Sequence, residues 1–60
     1  MDEQYKVVWR YWADPRGTHA QDWLGFERAC RSREDLMRMK GVQWARLYER
    51  NPNGRWKRVI

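Results

Sequence analysis

Val42-Gln43-Trp44-Ala45-Arg46-Leu47-Tyr48-Glu49-Arg50-Asn51-Pro52-Asn53-Gly54-Arg55-Trp56-Lys57-Arg58-Val59-Ile60 is the stretch whose reading decides the fold. Asn first, Pro second and Gly fourth suit a type I turn, with Gly54 in the left-handed position that closes a three-residue hairpin loop. Pairing Asn51 with Arg55 sets a register in which Arg50 faces Trp56, Glu49 faces Lys57, Tyr48 faces Arg58 and Leu47 faces Val59. Opposite charges and aliphatic partners meet, each cross-strand pair contributing roughly 0.2–1 kcal/mol. Residues 42 to 60 therefore read as a β-hairpin.

Asp14-Pro15-Arg16-Gly17 repeats the same turn logic near the start of the chain. Applied there, it pairs Asp14 with Thr18, Arg10 with Asp22, Trp9 with Trp23, Val8 with Leu24 and Val7 with Gly25. Tyr5 to Trp12 is dense in Val, Trp and Tyr and reads as a strand. From His19 to Gly41 there is no Val, Ile, Thr or Tyr, and Thr18 with Gln21 could form a capping box for a long helix, which would give the order β-α-β-β. Gly25 in the interior argues against that helix, as does Ser32 before Arg33-Glu34-Asp35, a cap residue followed by acids where a helix would begin. A short helix over 33–40 results, with Gly41 as its left-handed C-terminal cap. The expected fold is α+β: two hairpins in a small antiparallel sheet with one short helix, in the order β-β-α-β-β.

Strand alternation then separates two faces in each hairpin. In the C-terminal one, Ala45, Leu47 and Val59 form an apolar patch with the Glu49–Lys57 pair at its tip, suited to a helix bearing Leu36 and Met39. The other face carries Trp44, Arg46, Tyr48, Arg50, Trp56, Arg58 and Ile60, aromatic rings alternating with guanidinium groups and no acid among them. In the first hairpin Tyr5, Val7, Trp9, Tyr11 and Trp23 share one side, and Lys6, Val8, Arg10, Asp22, Leu24 and Phe26 the other. Sequence alone leaves open which of those two is covered.

Sixty residues with a formal charge of +5 allow one small domain, residues 1–60, and exclude a multi-domain enzyme. Cores this small rarely supply more than about 3–5 kcal/mol. Cys30 is the only cysteine, so no disulfide within the chain adds to that. Five Trp, three Tyr and one Phe can, because each buries much area, and self-association is the other route. The start Met1-Asp2-Glu3-Gln4 lacks the basic flank and apolar stretch of an export signal, and no apolar run nears the ~20 residues that span a bilayer. A soluble, cytoplasmic protein is expected.

Charge is uneven along the chain. Residues 1–30 hold 4 basic and 5 acidic side chains, whereas residues 31–60 hold 9 and 3. The basic half is the half with interleaved rings, which points to nucleic acid or an acidic protein surface as partner. No basic amphipathic helix longer than about two turns is legible, so no membrane partner is expected. Trp44, Arg46, Tyr48, Arg50, Trp56 and Arg58 are the candidate binding residues, where bases would stack on rings while arginines meet phosphates. The same face could instead join two copies or a host protein, or serve the sheet alone through cation–π contacts. Ten Arg against three Lys favour forked contacts to phosphate, although a bias toward GC-rich codons gives the same ratio.

Signs of catalysis are lacking. His19 and Cys30 have no companions at metal-ligand spacing, and a Cys30–His19 nucleophilic pair lacks an orienting third group. Gly17, Gly25, Gly41 and Gly54 are scattered and make no phosphate-cradling loop. Glu34 and Asp35 are explained by a helix start, and Met37 and Met39 by core filling. A non-enzymatic binding protein without metal or cofactor is the expectation.

The segments Tyr5-Lys6-Val7-Val8-Trp9-Arg10-Tyr11, Arg31-Ser32-Arg33-Glu34-Asp35-Leu36, Trp44-Ala45-Arg46-Leu47-Tyr48 and Asn53-Gly54-Arg55-Trp56 resemble short Arg- and Trp-rich open reading frames of phages that infect actinobacteria. The likeness spans most of the chain. It implies a small accessory protein made in the host cytoplasm, binding a host protein or nucleic acid.

Overall fold

The computed structural model describes residues 4–60, and the acidic start Met1-Asp2-Glu3 lies outside them. Strands β1 (Gln4–Tyr11) and β2 (Asp14–Leu24) are followed by helix α1 (Phe26–Arg38), then β3 (Val42–Arg50) and β4 (Trp56–Arg58). The strands form one antiparallel sheet in the order β2-β1-β3-β4, so the two hairpins are joined through β1 and β3. This is the α+β fold and the β-β-α-β-β order that the turns and strands imply.

The second hairpin keeps the register set by its turn. Arg50 pairs with Trp56, Glu49 with Lys57 and Tyr48 with Arg58. Asn51 N–H donates to the Arg55 carbonyl at 2.8 Å, and Gly54, at φ +85°, takes the left-handed conformation that a Cβ would disfavour. One pair fails. Val59 N–H and Ile60 N–H both donate to the Leu47 carbonyl, so two residues oppose one in a bulge. Val59, expected inside, is therefore 39% exposed.

The first hairpin turns earlier than its Asp-Pro-Arg-Gly signal suggests. Tyr11 pairs with Asp14, leaving Trp12 and Ala13 as the connection, and Trp12 N–H donates to the Gly41 carbonyl at 2.9 Å. Asp14-Pro15-Arg16-Gly17 instead makes an irregularity inside β2, where the Asp14 carboxylate accepts the Gly17 N–H at 3.1 Å and Gly17 keeps φ out of the left-handed region. Beyond it Trp9 pairs with His19, Lys6 with Asp22 and Tyr5 with Trp23, a register four residues from the expected one. Four is even, so the paired side chains of β1 and β2 stay on their expected faces.

Helix α1 starts seven residues before the expected 33. Gly25, at φ +97°, is the N-cap and lets the chain leave β2 and enter the helix at once. Ser32 is mid-helix, Glu34 and Asp35 lie beyond its first turn, and Glu27 is the acid that meets the N-terminal dipole. The chain then leaves the helix in extended conformation at Met39, and Gly41 is not a left-handed cap. Phe26, Ala29, Cys30, Arg33 and Leu36 recur at helical spacing. Ala29 is fully buried, Cys30 and Leu36 pack against the core, and Phe26 lies 5.5 Å from the Tyr5 ring. Phe26 thus belongs to the helix side and not with Lys6 and Arg10. Met37 and Met39 are 47% and 50% exposed and do not fill the core.

The helix covers the face bearing Tyr5, Val7, Ala45 and Leu47, with Val7 and Leu47 fully buried. At 25 cal/mol per Å² each such side chain contributes about 1.5–3 kcal/mol. A bulge between the Arg10–Trp44 and Tyr11–Val42 pairs adds Gln43 to β3, so Val42 and Ala45 are both buried although three residues apart. Arg33 closes the joint, its Nε donating to the Ala45 carbonyl at 3.1 Å.

Candidate functional site

With one helix and one sheet, only one sheet face is covered. The other carries Lys6, Val8 and Arg10 from β1, Ala20, Asp22 and Leu24 from β2, Trp44, Arg46, Tyr48 and Arg50 from β3, and Trp56 and Arg58 from β4. All six residues expected to form a binding surface therefore lie on the helix-free face, Trp44, Arg46, Tyr48 and Trp56 half-buried and Arg50 and Arg58 exposed.

Pairing order arranges them in rows across the strands. Asp22, Lys6, Tyr48 and Arg58 form one row, and Ala20, Val8 and Arg46 the next. Lys6 lies between two rings, its Nζ 4.5 Å from the Trp56 centroid and 5.6 Å from that of Tyr48. Trp44 receives two guanidinium groups, Arg46 at 4.0 Å and Arg10 at 5.3 Å. Arg10 is held by Nη2 donating to Thr18 Oγ1 at 3.2 Å, and Arg50 by Nη1 donating to Gln4 Oε1 at 2.8 Å. The rings of Trp44, Tyr48 and Trp56 thus lie on the sheet with cations over them.

Lys6 and Arg10 were not among the residues singled out from the sequence. They sit in the half of the chain whose net charge is slightly negative, and only the antiparallel β1–β3 pairing carries them onto the basic face. The β2 margin differs, since Thr18, Ala20, Asp22 and Leu24 supply no cation. The positive surface is thus concentrated over β1, β3 and β4.

On the helix side a cleft of about 340 Å³ is lined by Trp23, Arg28, Arg31, Ser32, Asp35, Leu36 and Met39. Nearer the first turn, His19 stacks on Trp9 at 5.7 Å and meets Tyr11 edge-on at 5.1 Å. Burial pushes the Cys30 thiol up, nearby Glu34 adds to the effect and Arg33 opposes it, so the thiolate needed for nucleophilic chemistry is disfavoured. Among the described residues no three of His, Cys, Asp and Glu gather as metal ligands would, and no helix is long and apolar enough to cross a membrane.

No protein-family model, curated protein or solved structure matches the chain.

Proposed function

We propose that this protein binds single-stranded nucleic acid, with little sequence preference and without catalysis, through the helix-free face of its sheet. The observation that carries the reading is the interleaving on one open face of Trp44, Tyr48 and Trp56 with Lys6, Arg10, Arg46, Arg50 and Arg58. Among the described residues Asp22, at the β2 margin, is the acid of that face.

Energetics favour exchange of the resident cations for bases. A cation over an exposed ring contributes about 0.5–1 kcal/mol, whereas a base stacked on an aromatic side chain contributes about 1–3 kcal/mol. An arriving strand offers both replacements at once: phosphates draw Lys6, Arg10 and Arg46 aside, and the ring faces so freed receive bases. Guanidinium suits the first role because its fork matches phosphate oxygens. The flat rings accept any base, which is why little sequence preference is expected.

Charge argues against a second copy on this face, since two such surfaces would bring like charges together. A polyanion has the opposite sign. An accessory role in a phage-infected host, as the sequence resemblance implies, is compatible with this activity.

Titrating a fluorescent oligothymidylate at two salt concentrations tests the proposal. Tryptophan quenching is expected, with an affinity that falls as salt rises at a log–log slope of about −0.7 per phosphate neutralised. Absence of binding at low salt contradicts it, and salt-independent binding would contradict the phosphate contacts assigned to the cations and leave stacking alone.

A further inference from the structure

The two edges of the sheet are protected to different degrees. An edge strand presents unpaired N–H and C=O groups, and chains that remain single blunt it with brevity, Lys, Pro or bulges. β4 is three residues long and carries Lys57 and Arg58. β2 confines Pro15 and its irregularity to residues 14–17, and from Thr18 to Leu24 it holds no Lys, Arg, Pro or Gly. That seven-residue segment bears Asp22 as its one charge, and Leu24 is 59% exposed.

The molecule is also extended, with principal dimensions of 37 × 21 × 15 Å. The protein exposes 4854 Å², where a monomer of this mass is expected to expose about 4,250 Å². Its radius of gyration is 11.7 Å against about 10.4 Å for a compact chain of this length.

We infer that Thr18–Leu24 of β2 pairs antiparallel with the same segment of a second copy about a two-fold axis, giving a continuous eight-stranded sheet. The occupant is a second copy because the segment is nearly uncharged and self-complementary, unlike the cationic face, which repels its own kind. Centring the axis on Gln21 uses all seven residues: Gln21 faces its counterpart, His19 faces Trp23, Ala20 faces Asp22 and Thr18 faces Leu24. Centring it on Asp22 would oppose two carboxylates. The chosen register puts both helices on one side of the sheet and both cationic surfaces on the other. The pairing stands without any nucleic acid, and only the doubling of the binding surface rests on the function proposed above.

Sedimentation equilibrium of the protein alone, from low micromolar to millimolar concentration, is the test. Wild type should approach twice the monomer mass. Gln21→Lys and Gln21→Glu should each weaken association at least tenfold by placing like charges on the axis, and an equimolar mixture of the two should restore it. Trp44→Ser should associate as wild type does. A wild type monomeric throughout, a Q21K variant that associates normally, or a mixture that fails to recover would each overturn the inference. Oligonucleotide binding by a monomeric wild type would leave the proposed function standing while this pairing fell.

Discussion

The two hairpins contain nearly the same turn sequence and use it differently. Asn51-Pro52-Asn53-Gly54 closes its hairpin and sets the register of every β3–β4 pair, whereas Asp14-Pro15-Arg16-Gly17 folds locally inside β2 while Trp12 and Ala13 make the connection. The difference lies outside the turns. In the second hairpin only the short β4 depends on the loop, so nothing competes with it. In the first, Tyr5, Val7 and Trp9 must meet α1 and β3, and Trp12 is tied to the Gly41 carbonyl, so the packing of the centre outweighs the local preference. A turn motif is decisive where tertiary demands are light.

The hairpins also divide the labour. β1 and β3 supply the core with one set of alternating side chains and the candidate binding surface with the other. Substitutions on the two sides should separate stability from binding. Leu47→Ala removes a fully buried side chain at a cost of about 2–5 kcal/mol. That equals the whole stability expected of so small a core, and circular dichroism should show the variant unfolded at room temperature. Trp44→Ser and Trp56→Ser, on the open face, should each keep the fold and lose about 1–3 kcal/mol of oligonucleotide affinity, read by fluorescence anisotropy.

A finer comparison concerns glycine. Gly25 and Gly54 both have positive φ, and nothing crowds a Cβ at Gly25. Gly25→Ala therefore isolates backbone strain and should cost about 1–2 kcal/mol in thermal unfolding. Gly54→Ala should cost a similar amount and leave the first hairpin's chemical shifts in place. The smallest effect belongs to Cys30. Its thiol is raised above the ordinary value, chiefly by burial. Alkylation by iodoacetamide should therefore begin at higher pH than for an unstructured cysteine peptide. The sign for stability follows: this contribution is complete below the unfolded thiol's pKa and is lost as pH rises through the folded one.

Much of this was legible from residue order. Alternation in 42–50 assigned Ala45 and Leu47 to the core and Trp44, Arg46 and Tyr48 to the other face, and even the mistaken first register preserved the faces because its error was a multiple of two. What was hidden had particular causes. Ser32 before Arg33-Glu34-Asp35 read as a cap followed by acids, which put the helix start at 33, although Arg33 in fact occupies an inward position of α1, where it bonds the Ala45 carbonyl. Gly25 read as a helix breaker when it is the point of entry. Lys6 and Arg10 reach the basic face only through β1–β3 pairing, a contact between segments some forty residues apart that no local pattern announces.

The central claim is that the strand docks on the helix-free face. Tryptophan indole resonances followed during titration with oligothymidylate test it most directly, because the five indoles sample both sides of the sheet. The account predicts large shifts for Trp44 and Trp56 with little change at Trp9 and Trp23. Shifts confined to Trp9 and Trp23, or none in any indole while binding proceeds, would contradict it.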